Sequence, residues 1–110
     1  MSLISEIEVA ELAQLKEKGE NIRVIDIRQP AELNAGIIPG AEALPMHIIP
    51  LRMNELKRDE KLVMVCRSGA RSAQACMYLQ QQGYESVFNL RGGMIAWAGS
   101  GFEIGLPQAV

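Results

Sequence analysis

The sequence is short of basic charge. Eleven Lys and Arg stand against thirteen Asp and Glu, a net charge of -2 with the single histidine neutral. Nucleic-acid binders need a basic surplus to neutralise phosphates, so that class is excluded. Aromatic stacking platforms are equally scarce: one Trp, two Tyr and two Phe in 110 residues. No run approaches the roughly 20 apolar residues that span a bilayer, so no membrane role is expected. The opening MSLISEIEVAEL places Glu6, Glu8 and Glu11 where a secretion signal would carry Lys or Arg ahead of an apolar run, and a cytoplasmic protein is expected. Metal-ligating residues are few. His47, Cys66 and Cys76 are the whole complement of His and Cys, too small a set for a structural metal site. In a reduced compartment the two cysteines are expected as free thiols, serving either as core or as chemistry.

What the chain does have is an alternation of strand-like and helix-like segments. Residues 1–110 are expected as one domain with a core over about 5–105 and a loose tail after Trp97. Val9, Leu12, Ala13 and Leu15 form a helical stripe closed by Gly19. Ile22 to Ile27 is a β-branched strand, Pro30 to Leu33 a short helix with proline first, and Gly36 to Gly40 a turn. Ala41 to Leu44 reads as a short strand, and Ile48 to Leu56 as a helix turning Ile48, Leu51 and Leu56 inward. Lys61 to Cys66 is a continuous apolar run of the kind buried on both faces of a parallel sheet. A helix over 72–82 capped by Gly83, a strand over 86–90 and a short helix after Gly92-Gly93 complete the series. The fold class is α/β with a parallel sheet and helices on both faces, whose ligands sit beyond the carboxyl ends of the strands.

Two segments reach that edge. One is Asp26-Ile27-Arg28. The other is Cys66-Arg67-Ser68-Gly69-Ala70-Arg71-Ser72, between the most apolar strand and a helix. A free thiol titrates near 8.5, so about 3% is ionised at neutral pH. Lowering a pKa by two units requires about 2.7 kcal/mol. A helix N-terminus supplies about 0.3–2 kcal/mol of this, and each loop N–H bonded to a charged sulfur about 1.5–3 kcal/mol. A thiolate at Cys66 therefore needs no histidine, and His47 reads as a surface or strand-end residue. Gly69 lets successive N–H groups turn into one anion-binding bowl. Arg67 and Arg71 are the candidate recruiters of an anionic substrate, with Ser68 and Ser72 as hydroxyl donors. Asp26 and Arg28, two apart on one face of an extended segment, support the site as an ion-pair brace. Cys76 falls among Ala73, Met77 and Leu79 and reads as a small buried hydrophobe, and Trp97 as a packing anchor.

Taken together, Ile25-Asp26-Ile27-Arg28, Glu32, Gly36-Ile-Ile-Pro39-Gly40-Ala41, Pro45, Cys66 to Ser72, Gly83-Tyr84, Val87 and Asn89-Leu90-Arg91-Gly92-Gly93 with Trp97 resemble a single-domain rhodanese. The resemblance covers about residues 5 to 105. It implies a five-stranded parallel sheet, Cys66 as the catalytic residue and no cofactor. It also implies a sulfurtransferase of the thiosulfate type, in which Cys66 takes sulfur from thiosulfate or a persulfide donor. The resulting persulfide would pass it to a thiol, cyanide or a sulfur-carrier protein. A monomer is the default for so small a domain. Two departures are visible: Ile37 stands where the family's turn usually has histidine, and Leu33 where an aromatic is common. Two other readings are a sulfur-carrier or redox-sensing module, and a phosphatase related to arsenate reductases. The phosphatases use Cys-x5-Arg, whereas here the sixth residue after Cys66 is Ser72 and the arginine falls at Arg71.

Overall fold

The structure, a computed structural model, describes residues 4–107. Five strands, β1 (Ser5–Ile7), β2 (Ile22–Asp26), β3 (Glu42–Ala43), β4 (Lys61–Val65) and β5 (Val87–Leu90), form one sheet in the order β1-β5-β4-β2-β3. Every pairing is parallel, with Val24 opposite Val63 and Met64 opposite Asn89. The helices are α1 (Val9–Glu17), α2 (Pro30–Leu33), α3 (Ile49–Arg52), α4 (Ala70–Gln81) and α5 (Gly93–Gly99).

The apolar run of β4 occupies the centre because both of its faces are covered. Leu62 and Met64 point to a core shared with Ile25, Ile49, Ala75, Leu79 and Val87, under α3 and α4. Val63 and Val65 point the other way, to Leu12 of α1 and Met94 and Trp97 of α5. Residues 62–65 have no exposed surface at all, which explains why this strand reads as continuous rather than alternating. Helices α1 and α4 both end in Schellman motifs. The Gly19 and Glu20 N–H groups bond to Lys16 and Leu15, and those of Gly83 and Tyr84 to Gln80 and Leu79. A capping box between Gln29 and Glu32 opens α2, with Pro30 in its first turn. Among the described residues no helix is long and apolar enough to cross a membrane.

Four features differ from the sequence-based reading. Ser5–Ile7 is an edge strand that hydropathy does not reveal, since only Ile7 of its three residues is buried. The segment 48–56 is not one helix: 3-10 turns at Met46–Ile48 and Met53–Glu55 flank a four-residue α3. Pro50 restarts the helix in a new register, so Leu51, expected inward, is 82% exposed while Ile49 is buried. Helix α4 begins at Ala70 rather than Ser72, which brings its N-terminus two residues deeper into the loop. The tail is pinned as far as Gly105. Trp97 Nε1 donates to the Glu103 carbonyl at 2.8 Å, Phe102 packs on the Trp97 ring, and Gly105 pairs antiparallel with Ile37.

Candidate active site

Cys66 follows directly on β4 and is 1% exposed. Its Sγ accepts hydrogen bonds from the Gly69 N–H at 3.0 Å, the Ser72 hydroxyl at 3.2 Å and, at longer range, the Ser72 N–H at 3.4 Å. This bowl requires the chain to reverse within three residues. Gly69 does so in the left-handed region (φ +99°), which a side chain rarely adopts. Burial would push the Cys66 thiol up. The Ser72 hydroxyl and the N–H groups of Ser72, Gly69 and Ser68 outweigh it, so the thiol lies below its ordinary value. The positive end of α4 acts in the same sense.

The floor of the loop is held by α5. The Met94 and Ile95 N–H groups donate to the Cys66 and Arg67 carbonyls at 2.9 and 3.0 Å. This approach leaves no room for a side chain at Gly93: a Cβ there would lie 2.4 Å from the Cys66 carbonyl oxygen and 2.6 Å from that of Arg67.

The two arginines lie apart from the sulfur. Arg71, a candidate recruiter of substrate in the sequence, forms a two-pronged pair with Glu32 of α2, both N···O distances being 2.9 Å. The Arg71 guanidinium holds the Glu32 carboxyl down at about 2. The Arg71 side chain is 39% exposed and borders a cleft of ≈470 Å³ with Ile27, Met46, Ile49 and Tyr78. Arg67 is exposed and borders a second cleft of ≈320 Å³ with Met94, Ile95 and Ile104. His47 borders the first cleft and is not among the partners of Cys66. Ala70 begins α4, and the Ser68 N–H acts to lower the Cys66 thiol.

Asp26 and Arg28 form a buried pair at 2.8 Å. The guanidinium also donates to the Gly36 carbonyl, fastening the end of β2 to the 36–40 turn. Arg28 also lines the cleft that Arg67 borders. Cys76 has no exposed surface, and burial, with the charges of Glu6 and Cys66, pushes its thiol up to about 12. Both cysteines are free.

Sequence reading missed two residues of this site. Glu32 has no role that its local sequence announces, and it fixes Arg71. Asn89 lies in an otherwise apolar strand, 2% exposed, with its amide between Ser72 and Gly69. A lone polar residue on the helix-covered face of a strand was the available signal.

The rhodanese-like domain profile matches residues 8–100. The chain belongs to the rhodanese-like domain family. It is 52% identical over 106 residues to a protein of Allochromatium vinosum named sulfurtransferase, covering 96% of this chain and 99% of that one. It is 40% identical to the thiosulfate sulfurtransferase GlpE of Pseudoalteromonas translucida, over 83% of this chain and 86% of that one. A rhodanese-like domain protein of Staphylococcus aureus superposes with a TM-score of 0.85 at 31% identity, covering 96% of this chain and all of the other. A rhodanese-related protein of Thermoplasma volcanium gives the same score at 29% identity, over 94% and 99% of the two chains.

Proposed function

We propose that this rhodanese-like protein is a sulfurtransferase that carries a sulfane sulfur on Cys66, with thiosulfate as a donor. The observation that carries the reading is the bowl of donors on Cys66 Sγ, which favours a thiolate with no basic side chain among the described partners of the sulfur. The thiolate attacks the outer sulfur of thiosulfate. The Cys66 S–S bond forms as the donor's S–S bond breaks, and the bond pair leaves with sulfite. The outer sulfur of the persulfide then carries the negative charge and faces the N–H groups of Ser68, Gly69 and Ser72. A nucleophilic acceptor attacks that sulfur and Cys66 leaves as thiolate. Arg67, exposed beside the loop, raises the local concentration of the dianion, whereas the charge of Arg71 is offset by Glu32. The acceptor is a thiol or a sulfur-carrier protein, with cyanide serving in an assay. The sulfurtransferase names of the relatives support the same chemistry.

Two half-reactions through one covalent intermediate require ping-pong kinetics. Varying thiosulfate at several cyanide concentrations should give parallel double-reciprocal lines, with no turnover in Cys66→Ser. Intersecting lines, or turnover surviving in Cys66→Ser, would sink the reading. The loop argues against phosphate chemistry, since its arginine falls at Arg71, one residue early, and is engaged by Glu32.

A further inference from the structure

The Ser72 hydroxyl has one proton and two acceptors. Its Oγ lies 3.2 Å from Cys66 Sγ and 2.5 Å from Asn89 Oδ1. The orientation of the Asn89 amide is settled by its other end. Nδ2 has two hydrogens and donates to the Gly69 carbonyl at 3.1 Å and to the Glu6 carboxylate at 3.2 Å. Both take only a donor, so the amide oxygen must face Ser72. An uncharged sulfur competes poorly with an amide oxygen for a proton, whereas a thiolate competes well. Asn89 is the polar exception on its face of β5: Val87, its companion there, packs in the apolar core under α4.

We infer that Asn89 is a positioning residue, the alternate acceptor that holds the Ser72 proton whenever Cys66 Sγ is uncharged and releases it when the thiolate forms. Resting on the sulfurtransfer reading, the hydroxyl swings twice per cycle. It turns to Asn89 when Sγ is consumed in the persulfide and back to Sγ when sulfur delivery returns the charge. The hydrogen bond that helps the thiolate to leave is thereby withheld from the loaded enzyme. No bond to hydrogen is broken in the swing; the hydroxyl only rotates.

The charged and titratable groups around the sulfur are Arg71 of α4 with Glu32 of α2, the Asp26–Arg28 pair after β2, Arg67, Cys76 and, behind Asn89 on β1, Glu6. Asn89→Leu also removes the donor to the Glu6 carboxylate, alike in both Ser72 backgrounds, so the difference between the two Asn89→Leu shifts isolates the hydroxyl. The readout is ultraviolet thiolate absorbance against pH, referenced to Cys66→Ser. Ser72→Ala should move the midpoint up. Asn89→Leu should move it down, because the competitor is gone, raising the thiolate fraction below the midpoint by about two- to tenfold, the range of an ordinary hydrogen bond. In the Ser72→Ala background the downward shift on Asn89→Leu should be lost. A merely structural asparagine predicts the opposite: an upward shift as the loop loosens, present with or without the hydroxyl. The Gly69 carbonyl keeps its helical bond from the Ala73 N–H, so the variant leaves that acceptor paired.

A second measurement needs no substitution of Asn89. Its side-chain amide resonance should titrate with the Cys66 midpoint in wild type and lose that movement in Ser72→Ala. A resonance that stays still, or moves alike in both proteins, overturns the inference even if Asn89→Leu does not fold. Neither measurement uses a sulfur donor, so their failure is distinguishable from failure of the sulfurtransfer reading.

Discussion

At the scale of single residues the site is a set of donors collected around one sulfur. Ser72 contributes twice, by its N–H and its hydroxyl, and only the hydroxyl can be removed by substitution. Ser72→Ala should therefore slow sulfur uptake near neutral pH by about 10- to 100-fold, the worth of a hydrogen bond to a charged group, while Ser72→Thr should retain most of it. Single-turnover loading from thiosulfate measures this. Because the Cys66 thiol lies below its ordinary value, the loading rate should rise with pH and level off before a free thiol would. Ser72→Ala should carry that plateau to higher pH. Cys66 and the Gly69 turn were legible in sequence because a cysteine at the end of a buried strand, followed by a Gly-containing loop and a helix, leaves few alternatives. The partner of Arg71 was not, because Glu32 lies 39 positions away and nothing local announces the pairing.

At the scale of elements, helices set the loop from two sides. The N-terminus of α4 faces the sulfur, and the first turn of α5 holds the carbonyls of Cys66 and Arg67. Gly93→Ala puts a methyl group against those carbonyls at a residue with φ +56°. The left-handed strain and the overpacking together should destabilise the fold by about 2–5 kcal/mol. Denaturant unfolding would show it, and a loss under 1 kcal/mol would mean that α5 yields without effort. Helix α2 enters through Glu32, which accepts from the Gln29 N–H and from Arg71. Its folded pKa of about 2 is below the ordinary 4.5, so its contribution is complete above the ordinary value and is lost as pH falls toward about 2. The stability difference between wild type and Glu32→Gln should shrink across that window. A difference that persists at pH 2 would show that the pair is not its source. Helix α2 was legible through Pro30. The broken 46–55 segment was not, because apolar spacing alone does not reveal where Pro50 resets the register.

At the scale of the whole molecule, the parallel sheet brings distant segments to one edge. The end of β2 is fastened to the 36–40 turn by Arg28, whose charge is buried with Asp26. Asp26→Ala would strand that guanidinium and should cost about 3–5 kcal/mol, seen as a lower unfolding midpoint; an unchanged midpoint would mean Arg28 escapes to water. Alternating strands and helices made the architecture readable from composition and spacing. The edge strand Ser5–Ile7 was not, since it is held by pairing with Phe88 to Leu90 rather than by its own pattern. In this scheme Cys66 alone carries sulfur. Its most direct test is the intact mass of the reduced protein after thiosulfate treatment, alongside Cys66→Ser and Cys76→Ser. A gain of one sulfur atom is expected in wild type and Cys76→Ser and none in Cys66→Ser. Sulfur retained by Cys66→Ser, or no gain in wild type with thiosulfate or any persulfide donor, would contradict it.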